Sequence, residues 1–416
     1  MTTPLHTAAS PNANYETIAI PRRQLDFPDF DRLSFDVFQT SHMYLAYHMT
    51  SDAPEESRHW PDLCFEMGWE KYYAEEYEDR NWRPVMPTAL TPLRHLSVHP
   101  ASCAWHYGPA AFEGTKAFLS AKKRVVLFRP ETNGKRLQLS AARLLMPKVP
   151  VGMFVESLAQ MAVANREFIP PFHPEHWAWE SRNPRCLYMR PLLMGHGPQL
   201  GVRPAKDHAY VVYSSPVRAY YATGGMRVLV TDTFHRAAPG GTGNVKASAN
   251  YISGLLPTQL ARRGYDWQND KPVRVSEEPF NDVLYLDTVN NKYVEEFSGA
   301  NFLAVDAGGT LVSPKSNSIL PGVTRDSVLA LAEALGIKVE HRPLSVDELL
   351  NEKQIAEIFC TGNAAVVTPI THIYYRGKTR DFELSKLKTV QRLWDALVGI
   401  QLQMREDPFG WVKEVG

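Results

Sequence analysis

The segment Arg236-Ala-Ala-Pro-Gly-Gly-Thr-Gly-Asn-Val-Lys246 is followed by Ala247-Ser-Ala-Asn-Tyr251 and then by an apolar stretch. A lysine on a glycine-rich loop beside apolar residues has a defined backbone and a partly dry amine, the conditions for forming a Schiff base. Most lysines are solvated surface charges, so other features of the chain must show whether Lys246 is reactive. A Walker A phosphate loop needs Gly before the lysine and a hydroxyl after it. Val245 and Ala247 stand there, which disfavours an ATPase.

The composition indicates a globular protein without a strong net charge. The chain has 416 residues, 44% hydrophobic and 22% charged, which is long enough for two domains. Its 45 basic and 45 acidic side chains argue against attraction to nucleic acid or to an anionic membrane. The four cysteines form no CxxC pair, which favours reduced thiols in a cytoplasmic enzyme and disfavours a metal site. No stretch approaches the ~18 apolar residues of a membrane span.

The order of the predicted elements divides the chain into two domains. Residues 1–29 are rich in Thr, Pro, Ala and Asn and are expected to form a flexible tail. A small α+β domain is predicted over 30–215, with an insertion at about 52–83 whose aromatic side chains are expected to pack. A linker over 216–225 leads to a larger domain over 226–416 that carries Lys246.

Local patterns predict the elements of both domains. In the first we expect helices starting at Asn133 and Phe154 and strands over 95–98, 116–119, 125–128, 188–194 and 208–215. In the second we expect a strand over 227–231, a helix over 247–263 kinked at Pro257, and an antiparallel meander over 283–286, 293–296, 302–305 and 310–313.

Two turns and one glutamate supply further candidate groups. Gly322-Val323-Thr324 precedes a predicted helix, whose first N–H groups and dipole favour a phosphate, although Thr324 acting as a simple helix cap is the alternative. The turn over 359–365 follows a predicted strand and can add N–H donors. Glu296 ends a strand, either as an exposed edge carboxylate or as the fixed carboxylate that keeps a pyridine nitrogen protonated.

From about Phe38 to about Ile373 the chain resembles the branched-chain aminotransferases of the fold-type IV pyridoxal-phosphate enzymes. The motifs that carry the resemblance are, in chain order, His99-Pro-Ala-Ser, His106-Tyr-Gly, Phe112-Glu-Gly-Thr-Lys116, Phe128-Arg-Pro, Arg136, Tyr188-Met-Arg-Pro191, Gly197-Pro-Gln-Leu-Gly201, Pro239-Gly-Gly-Thr-Gly with Lys246, Asn250-Tyr251, Glu296, Asn301-Phe302, Ile319-Leu-Pro-Gly322 and Gly362-Asn-Ala-Ala365. Each motif is short, and it is their number, order and spacing that indicate the family.

The resemblance implies a fold and a cofactor. The fold would be α+β, with a small α+β domain, a larger antiparallel-rich, β-barrel-like domain with flanking helices, and a homodimeric assembly. Pyridoxal 5′-phosphate would be held by Lys246 as a Schiff base, with Glu296 at the pyridinium nitrogen and Tyr251 at the phenolic oxygen. The groups implied at the phosphate are Arg136 and the backbone N–H groups of Val323, Thr324 and Asn363.

The resemblance also implies a substrate pocket for a small amino acid and a 2-oxo acid. Its implied residues are Tyr107, Phe112, Tyr188, Arg190, Asn363 and Ala364. Arg190 would receive the distal carboxylate of glutamate, so that one pocket serves both halves of a ping-pong transamination between a branched-chain L-amino acid and 2-oxoglutarate. Lys246 would move the proton as general base and acid.

Several positions depart from the family pattern and leave the substrate open: Ser248, Ala249, Ser298, Gly299 and Asn363. The first two stand where glycines are usual, which would add bulk near the cofactor, and Asn363 stands where a threonine is typical. A transaminase for aromatic amino acids or amine donors in specialised metabolism, or an aminodeoxychorismate-type lyase, are therefore alternatives. A catalytically silent scaffold is the alternative that is not an enzyme, and the joint presence of Lys246, Tyr251, Glu296 and Arg136 argues against it.

Overall fold

The computed structural model describes residues 28–48, 82–84, 89–221 and 224–415. The predicted tail, apart from its last two residues, lies outside the described residues. So does the predicted insertion at 52–83, apart from Trp82 and Arg83. Both predictions therefore stay untested.

The first part of the chain forms an antiparallel sheet covered by helices. Its strands are β1 (His42–His48), β2 (Trp82–Pro84), β3 (Leu90–Pro92), β4 (Ala110–Phe112), β5 (Thr115–Leu119), β6 (Val125–Phe128), β7 (Cys186–His196) and β8 (Asp207–Val217). Its helices are α1 (Cys103–Tyr107), α2 (Pro130–Arg143), α3 (Val151–Ala164) and α4 (Pro174–Trp177). The strand order β2-β1-β8-β7-β5-β6 places β8 and β7 at the centre. Leu137 of α2 and Phe154 of α3 bury their side chains against this sheet.

The second part forms a closed barrel. Its strands are β9 (Met226–Thr231), β12 (Asp282–Leu286), β13 (Val294–Phe297), β14 (Asn301–Asp306), β17 (Ile355–Gly362) and β18 (Val366–Tyr375), and the pairing of Glu296 with Asn301 closes the ring. Outside it lie β10 (Tyr265–Gln268), β11 (Lys271–Arg274), β15 (Leu311–Pro314), β16 (Val339–Arg342) and β19 (Lys378–Asp381). The helices are α5 (Leu255–Ala261), α6 (Val323–Ala334), α7 (Val346–Leu350) and α8 (Lys388–Gln401). The predicted meander is confirmed, since β12 to β15 pair antiparallel in sequence order.

Several predicted elements differ from the structure. Helix α3 begins at Val151 and not at Phe154, and β17 continues to Gly362, into the predicted turn over 359–365. Helix α2 begins at Pro130, whose ring suits the first helical position, and not at Asn133. The predicted 247–263 helix is a 3-10 turn over Ser248–Tyr251 followed by α5. Pro257 lies in the first turn of α5, where a missing N–H breaks no helical bond, so it does not kink the helix. Residues 95–98 form no strand.

The C-terminus returns to the first sheet. Strand β20 (Val412–Glu414) pairs antiparallel with β6, although the sequence places these residues in the second domain. A strand of three residues gives no detectable alternation of polar and apolar positions. The largest buried cluster then joins the two parts, because it contains Phe118 of the first sheet together with Phe359 of the barrel and Trp394 of α8. In the described residues no helix is both long and apolar enough to cross a bilayer.

A buried histidine in β8 predicts acid sensitivity. Burial lowers the pKa of His208 to about 3, and its ring nitrogens have no hydrogen-bond partner within the described ranges. The unfolded chain therefore binds a proton as the pH falls below about 6.5, whereas the folded chain does not. We expect this group to lower the free energy of unfolding by up to about 1.4 kcal/mol per pH unit between about 6.5 and 3. Urea titrations from pH 7 to 5 measure the effect.

His208→Leu should flatten this pH dependence, because the variant has no group to protonate at that position. His95→Leu is the matched control, since His95 is exposed. An unchanged slope in His208→Leu would contradict the assignment.

Candidate active site

A cavity of about 540 Å³ lies between the first sheet and the barrel. This is the size of a small-molecule site. All but one of the predicted site residues line it: Phe112, Arg136, Tyr188, Arg190, Lys246, Tyr251, Glu296, Val323, Thr324, Asn363 and Ala364.

Tyr107 is the predicted site residue that this chain does not bring to the cavity. It ends α1, its side chain is exposed, and its hydroxyl donates to the carbonyl of Leu200. Gly108, in the left-handed conformation, turns the chain immediately after it. The resemblance implied that Tyr107 lies in the substrate pocket. In the structure it lies at the end of α1, and its side chain is directed to Leu200.

The backbone of Lys246 is held by two hydrogen bonds to the first part of the chain. Its N–H donates to Oγ of Ser140 at 2.9 Å, and its carbonyl accepts from the N–H of Phe112 at 3.2 Å. The side-chain amine is 2.7 Å from Oη of Tyr251 and 4.7 Å from the centre of the Phe112 ring. The side chain of Asn250 braces the loop by donating to the carbonyl of Val245 at 2.9 Å. The amine is therefore fixed beside one hydroxyl and one aromatic face.

Glu296 is a buried carboxylate that accepts two hydrogen bonds and forms one ion pair. Oε1 accepts from the N–H of Leu320 at 2.9 Å and Oε2 accepts from Nδ2 of Asn301 at 2.6 Å. Nη2 of Arg236 lies 2.6 Å from Oε1. Burial raises the pKa of Glu296, while Arg236 and the Leu320 N–H act in the opposite direction. A carboxylate offers about four acceptor directions, so one remains for a donor in the cavity. The edge-carboxylate alternative is thus wrong.

Arg236 links the lysine segment to the carboxylate of Glu296 and to the backbone at Ser318. Besides Glu296, its guanidinium donates to the carbonyl of Gly243 at 3.3 Å and to the carbonyl of Ser318. Arg236 begins the lysine segment, yet no motif in the sequence assigns it a role. The partner that reveals the role, Glu296, is 60 positions away and comes close only when β13 pairs in the barrel.

Arg136 is held in place by a second glutamate, to which the sequence motifs assign no role. Its Nε and Nη2 donate to the two carboxylate oxygens of Glu113 at 2.8 and 2.7 Å, and Nη1 donates to the carbonyl of Pro321 at 3.1 Å. Asn133, predicted as a helix cap, instead donates to Glu113 at 2.8 Å. This bidentate geometry fixes the guanidinium plane and leaves further N–H donors for an anion.

The start of α6 lies beside Arg136 in the cavity wall. Gly322 is its N-cap residue and supplies no side-chain cap, so the first N–H groups have no intrahelical partner. Thr324 is not the cap, because it lies inside the helix, and its hydroxyl donates to Oδ1 of Asn363 at 2.7 Å. The positive end of the helix dipole and the Arg136 guanidinium together favour a phosphate.

The opposite wall carries one cation on an aromatic surface. The Arg190 guanidinium lies 4.7 Å from the centre of the Phe112 ring, and its Nη2 is 3.4 Å from Oη of Tyr188. Its Nε is buried and without a hydrogen-bond partner in the part of the chain that is described. Gly114 leaves room for Tyr188, since a Cβ there would lie 1.9 Å from the tyrosine oxygen.

The positions that depart from the family pattern do not all face the cavity. Ser248, Ser298 and Gly299 line it, and Oγ of Ser298 is 3.2 Å from Oη of Tyr285. Ala249 does not line it, and lies instead against Gly108. The added bulk expected near the cofactor therefore comes from Ser248 alone.

These groups fit pyridoxal 5′-phosphate. The cavity offers an amine for the aldehyde, a carboxylate for the ring nitrogen and a hydroxyl for the phenolic oxygen, at Lys246, Glu296 and Tyr251. The other end offers a guanidinium and helix N–H groups for the phosphate. The hydroxyl of Thr361, which also lines the cavity, is buried without a partner among the described residues. A buried donor without a partner indicates a polar ligand in this space.

Comparisons with known proteins agree with this arrangement. Residues 273–373 match the model of the amino-transferase class IV family. The chain is 38% identical over 324 residues to branched-chain amino acid aminotransferase 1, mitochondrial, of Humulus lupulus, with 77% of this chain and 75% of the relative covered. It is 39% identical over 326 residues to the branched-chain-amino-acid aminotransferase of Helicobacter pylori, with 77% of this chain and 88% of the relative covered. The crystal structure of the Escherichia coli branched-chain amino acid aminotransferase shares 27% identity at a TM-score of 0.64, covering 78% of this chain and 97% of that one.

Fold, site and family model define a class IV aminotransferase that uses pyridoxal 5′-phosphate. The identity to curated relatives over most of their length shows that the chain belongs to the branched-chain amino acid aminotransferase family. The predicted fold-type IV architecture is confirmed by the same structural likeness.

Gly322 lies where a single methyl group would disturb the carboxylate site. A Cβ at Gly322 would lie 1.9 Å from Oδ1 of Asn301, whose Nδ2 donates to Glu296. Gly322→Ala should therefore displace Asn301 and weaken pyridoxal phosphate binding by about 10- to 100-fold, the effect of one broken buried hydrogen bond. Fluorescence titration of the cofactor-free protein measures the affinity. Gly152→Ala in α3, where a Cβ meets nothing within 4 Å, should bind normally. Equal affinities in the two variants would contradict this role of Gly322.

Proposed function

We propose that the protein transfers the amino group of a branched-chain L-amino acid to 2-oxoglutarate in a ping-pong reaction through Lys246. The observation that carries the proposal is the wall formed by Phe112, Tyr188 and Arg190. It presents aromatic faces to an apolar side chain and a guanidinium to a distal carboxylate. One pocket can thus accept the side chains of both amino donors, leucine in one half-reaction and glutamate in the other.

Bound pyridoxal phosphate supplies an electron sink that makes the Cα proton of the amino substrate acidic. Lys246 would hold the cofactor through Nζ, and its amine is the group that would take the proton from Cα and return it, as general base and general acid. Tyr251, 2.7 Å from Nζ, would orient the amine and donate to the phenolic oxygen.

Glu296 would hold a proton on the ring nitrogen. Arg236 and the Leu320 N–H oppose the effect of burial and favour its carboxylate form, which a protonated ring nitrogen would pair with. At the far end, Arg136 and the N–H groups of Val323 and Thr324 would bind the phosphate and fix the register of the cofactor.

The turn between β17 and β18 faces the substrate. The N–H groups of Asn363 and Ala364 would bind the α-carboxylate, which every amino and 2-oxo acid substrate shares. The side chain would then lie against Phe112 and Tyr188. The retained Arg190 favours an acidic partner substrate and argues against an amine-only donor.

We also propose that two copies of the chain assemble into a homodimer. Large apolar side chains are exposed around α1 and beside Tyr251: Trp105, Tyr107, Leu200, Val202, Ile252 and Leu255. Tyr107 contacts Leu200, and Gly108 faces Ala249, so the end of α1 lies beside both of the other segments that carry these side chains. An exposed apolar patch of this kind is typical of a subunit interface. Light scattering should give a dimeric mass, and Trp105→Glu with Leu200→Glu should lower it.

Two further predictions stay proposals. A division at the 216–225 linker is supported by the two large sheets, since the strands of the first sheet other than β20 come before the linker and the barrel strands come after it. A cytoplasmic location is supported by the buried, free thiols of Cys103, Cys186 and Cys360.

A panel of amino donors tested with 2-oxoglutarate decides the substrate. Leucine, isoleucine and valine should be turned over faster than aromatic amino acids and simple amines, and Lys246→Ala should turn over none of them. Preference for an aromatic or amine donor, or formation of 4-aminobenzoate from aminodeoxychorismate, would reject the branched-chain assignment. A protein that binds no pyridoxal phosphate would favour the scaffold alternative.

A further inference from the structure

We propose that the side chain of Asn363 is a positioning residue that ties the substrate-facing turn to the phosphate helix α6 and to the first sheet. The inference rests on the proposed function, because it concerns the turn that would bind the α-carboxylate. It assigns to the Asn363 side chain a task separate from that of its backbone N–H.

The hydrogen bonds of Asn363 span three parts of the molecule. Its Oδ1 accepts from the hydroxyl of Thr324 at 2.7 Å, at the start of α6. Its Nδ2 donates to the carbonyl of Gly114, which follows β4 in the first sheet. The Gly114 carbonyl can only accept, so the amide has one possible orientation.

The turn that carries Asn363 is followed by a residue in an unfavourable backbone conformation. Val366, which directly follows it, has a φ of 59°, a left-handed conformation that a β-branched residue rarely adopts. Such conformations persist when the surrounding structure fixes them. The two hydrogen bonds of the Asn363 side chain provide that restraint on the side of the cavity.

The same bonds connect substrate and cofactor contacts. Gly114 directly follows Glu113, which holds Arg136, and Thr324 lies in the first turn of α6. Because the Thr324 hydroxyl donates to Asn363, its proton is directed at the turn and away from the phosphate. A displaced Asn363 would thus move the α-carboxylate donors relative to the phosphate donors.

This role predicts a particular kinetic result. Asn363→Ala should raise KM for both the amino acid and the 2-oxo acid by about 10-fold or more, because both contain the α-carboxylate, while kcat changes less. Asn363→Asp keeps the acceptor for Thr324 but presents an oxygen to the Gly114 carbonyl. It should shift both KM values in the same direction, which guards against a folding defect peculiar to the alanine variant.

Hydrogen exchange on the cofactor-free protein tests the restraint without activity. In Asn363→Ala, amides over 112–116 and 362–366 should exchange faster, whereas those over 125–128 should not change. Asn290→Ala is the matched control, because Asn290 also donates its side-chain amide within a turn, to Asp287 at 3.0 Å, but is exposed and outside the cavity. Unchanged exchange over both segments would overturn the proposal, even if no substrate were found. Faster exchange with unchanged KM values would also overturn it.

Discussion

Replacing Lys246 with alanine is expected to lower kcat/KM for transamination by about 10⁴-fold, the range of a lost general base and acid. The amine lies in the cavity, 2.7 Å from Tyr251, and among the described residues no other lysine lines this cavity. The variant should still bind pyridoxal phosphate, because Arg136, the α6 N–H groups and Glu296 are untouched. Steady-state rates and cofactor titration separate the two effects.

Lys338→Ala is the control for this experiment. Lys338 is exposed and pairs with Glu340 at 2.6 Å, remote from the cavity, so its removal should leave both rate and cofactor affinity unchanged. A Lys246→Ala protein that retained a tenth of the wild-type rate would contradict the assignment of the proton transfer.

Replacing Glu296 with glutamine is expected to lower kcat by about 10²- to 10³-fold, the usual effect of removing one electrostatic contact to the reacting system. Glutamine cannot keep a proton on the ring nitrogen, and its substitution leaves the buried Arg236 without its ion-pair partner. The pH dependence of the visible absorbance of the bound cofactor should shift with the rate.

Glu295→Gln is a closely matched control. Glu295 is the adjacent residue and is also buried, but it accepts from Oγ of Ser316 at 2.5 Å and does not line the cavity. Its variant should keep the wild-type spectrum and rate. Similar losses in the two variants would indicate a general effect of strand β13 rather than a contact to the ring.

Several residues that line the cavity could be predicted because they sit in short local motifs. Lys246 and Tyr251 are five positions apart, and the Gly322 turn directly precedes α6. Glu113 and Arg236 received no role, because their partners, Arg136 and Glu296, are distant in the sequence and meet only in the folded chain.

The remaining errors have similar causes. The helix predicted over 247–263 was too long. Apolar periodicity does not reveal that residues Ser248–Tyr251 form a 3-10 turn and not part of an α-helix. The direction of Tyr107 depends on where a five-residue helix ends. Side-chain pairing and element ends are set by tertiary contacts that one sequence does not display.

The central claim is that Lys246 is the lysine that carries the cofactor. Borohydride reduction of the protein loaded with pyridoxal phosphate, followed by peptide mass mapping, tests it most directly. Lys116 is the competing site, because it is buried and burial lowers the pKa of its amine, which favours the nucleophilic neutral form. We predict the reduced cofactor on the peptide containing Lys246 and none on the peptide containing Lys116. Attachment to Lys116, or to no lysine, would contradict the account.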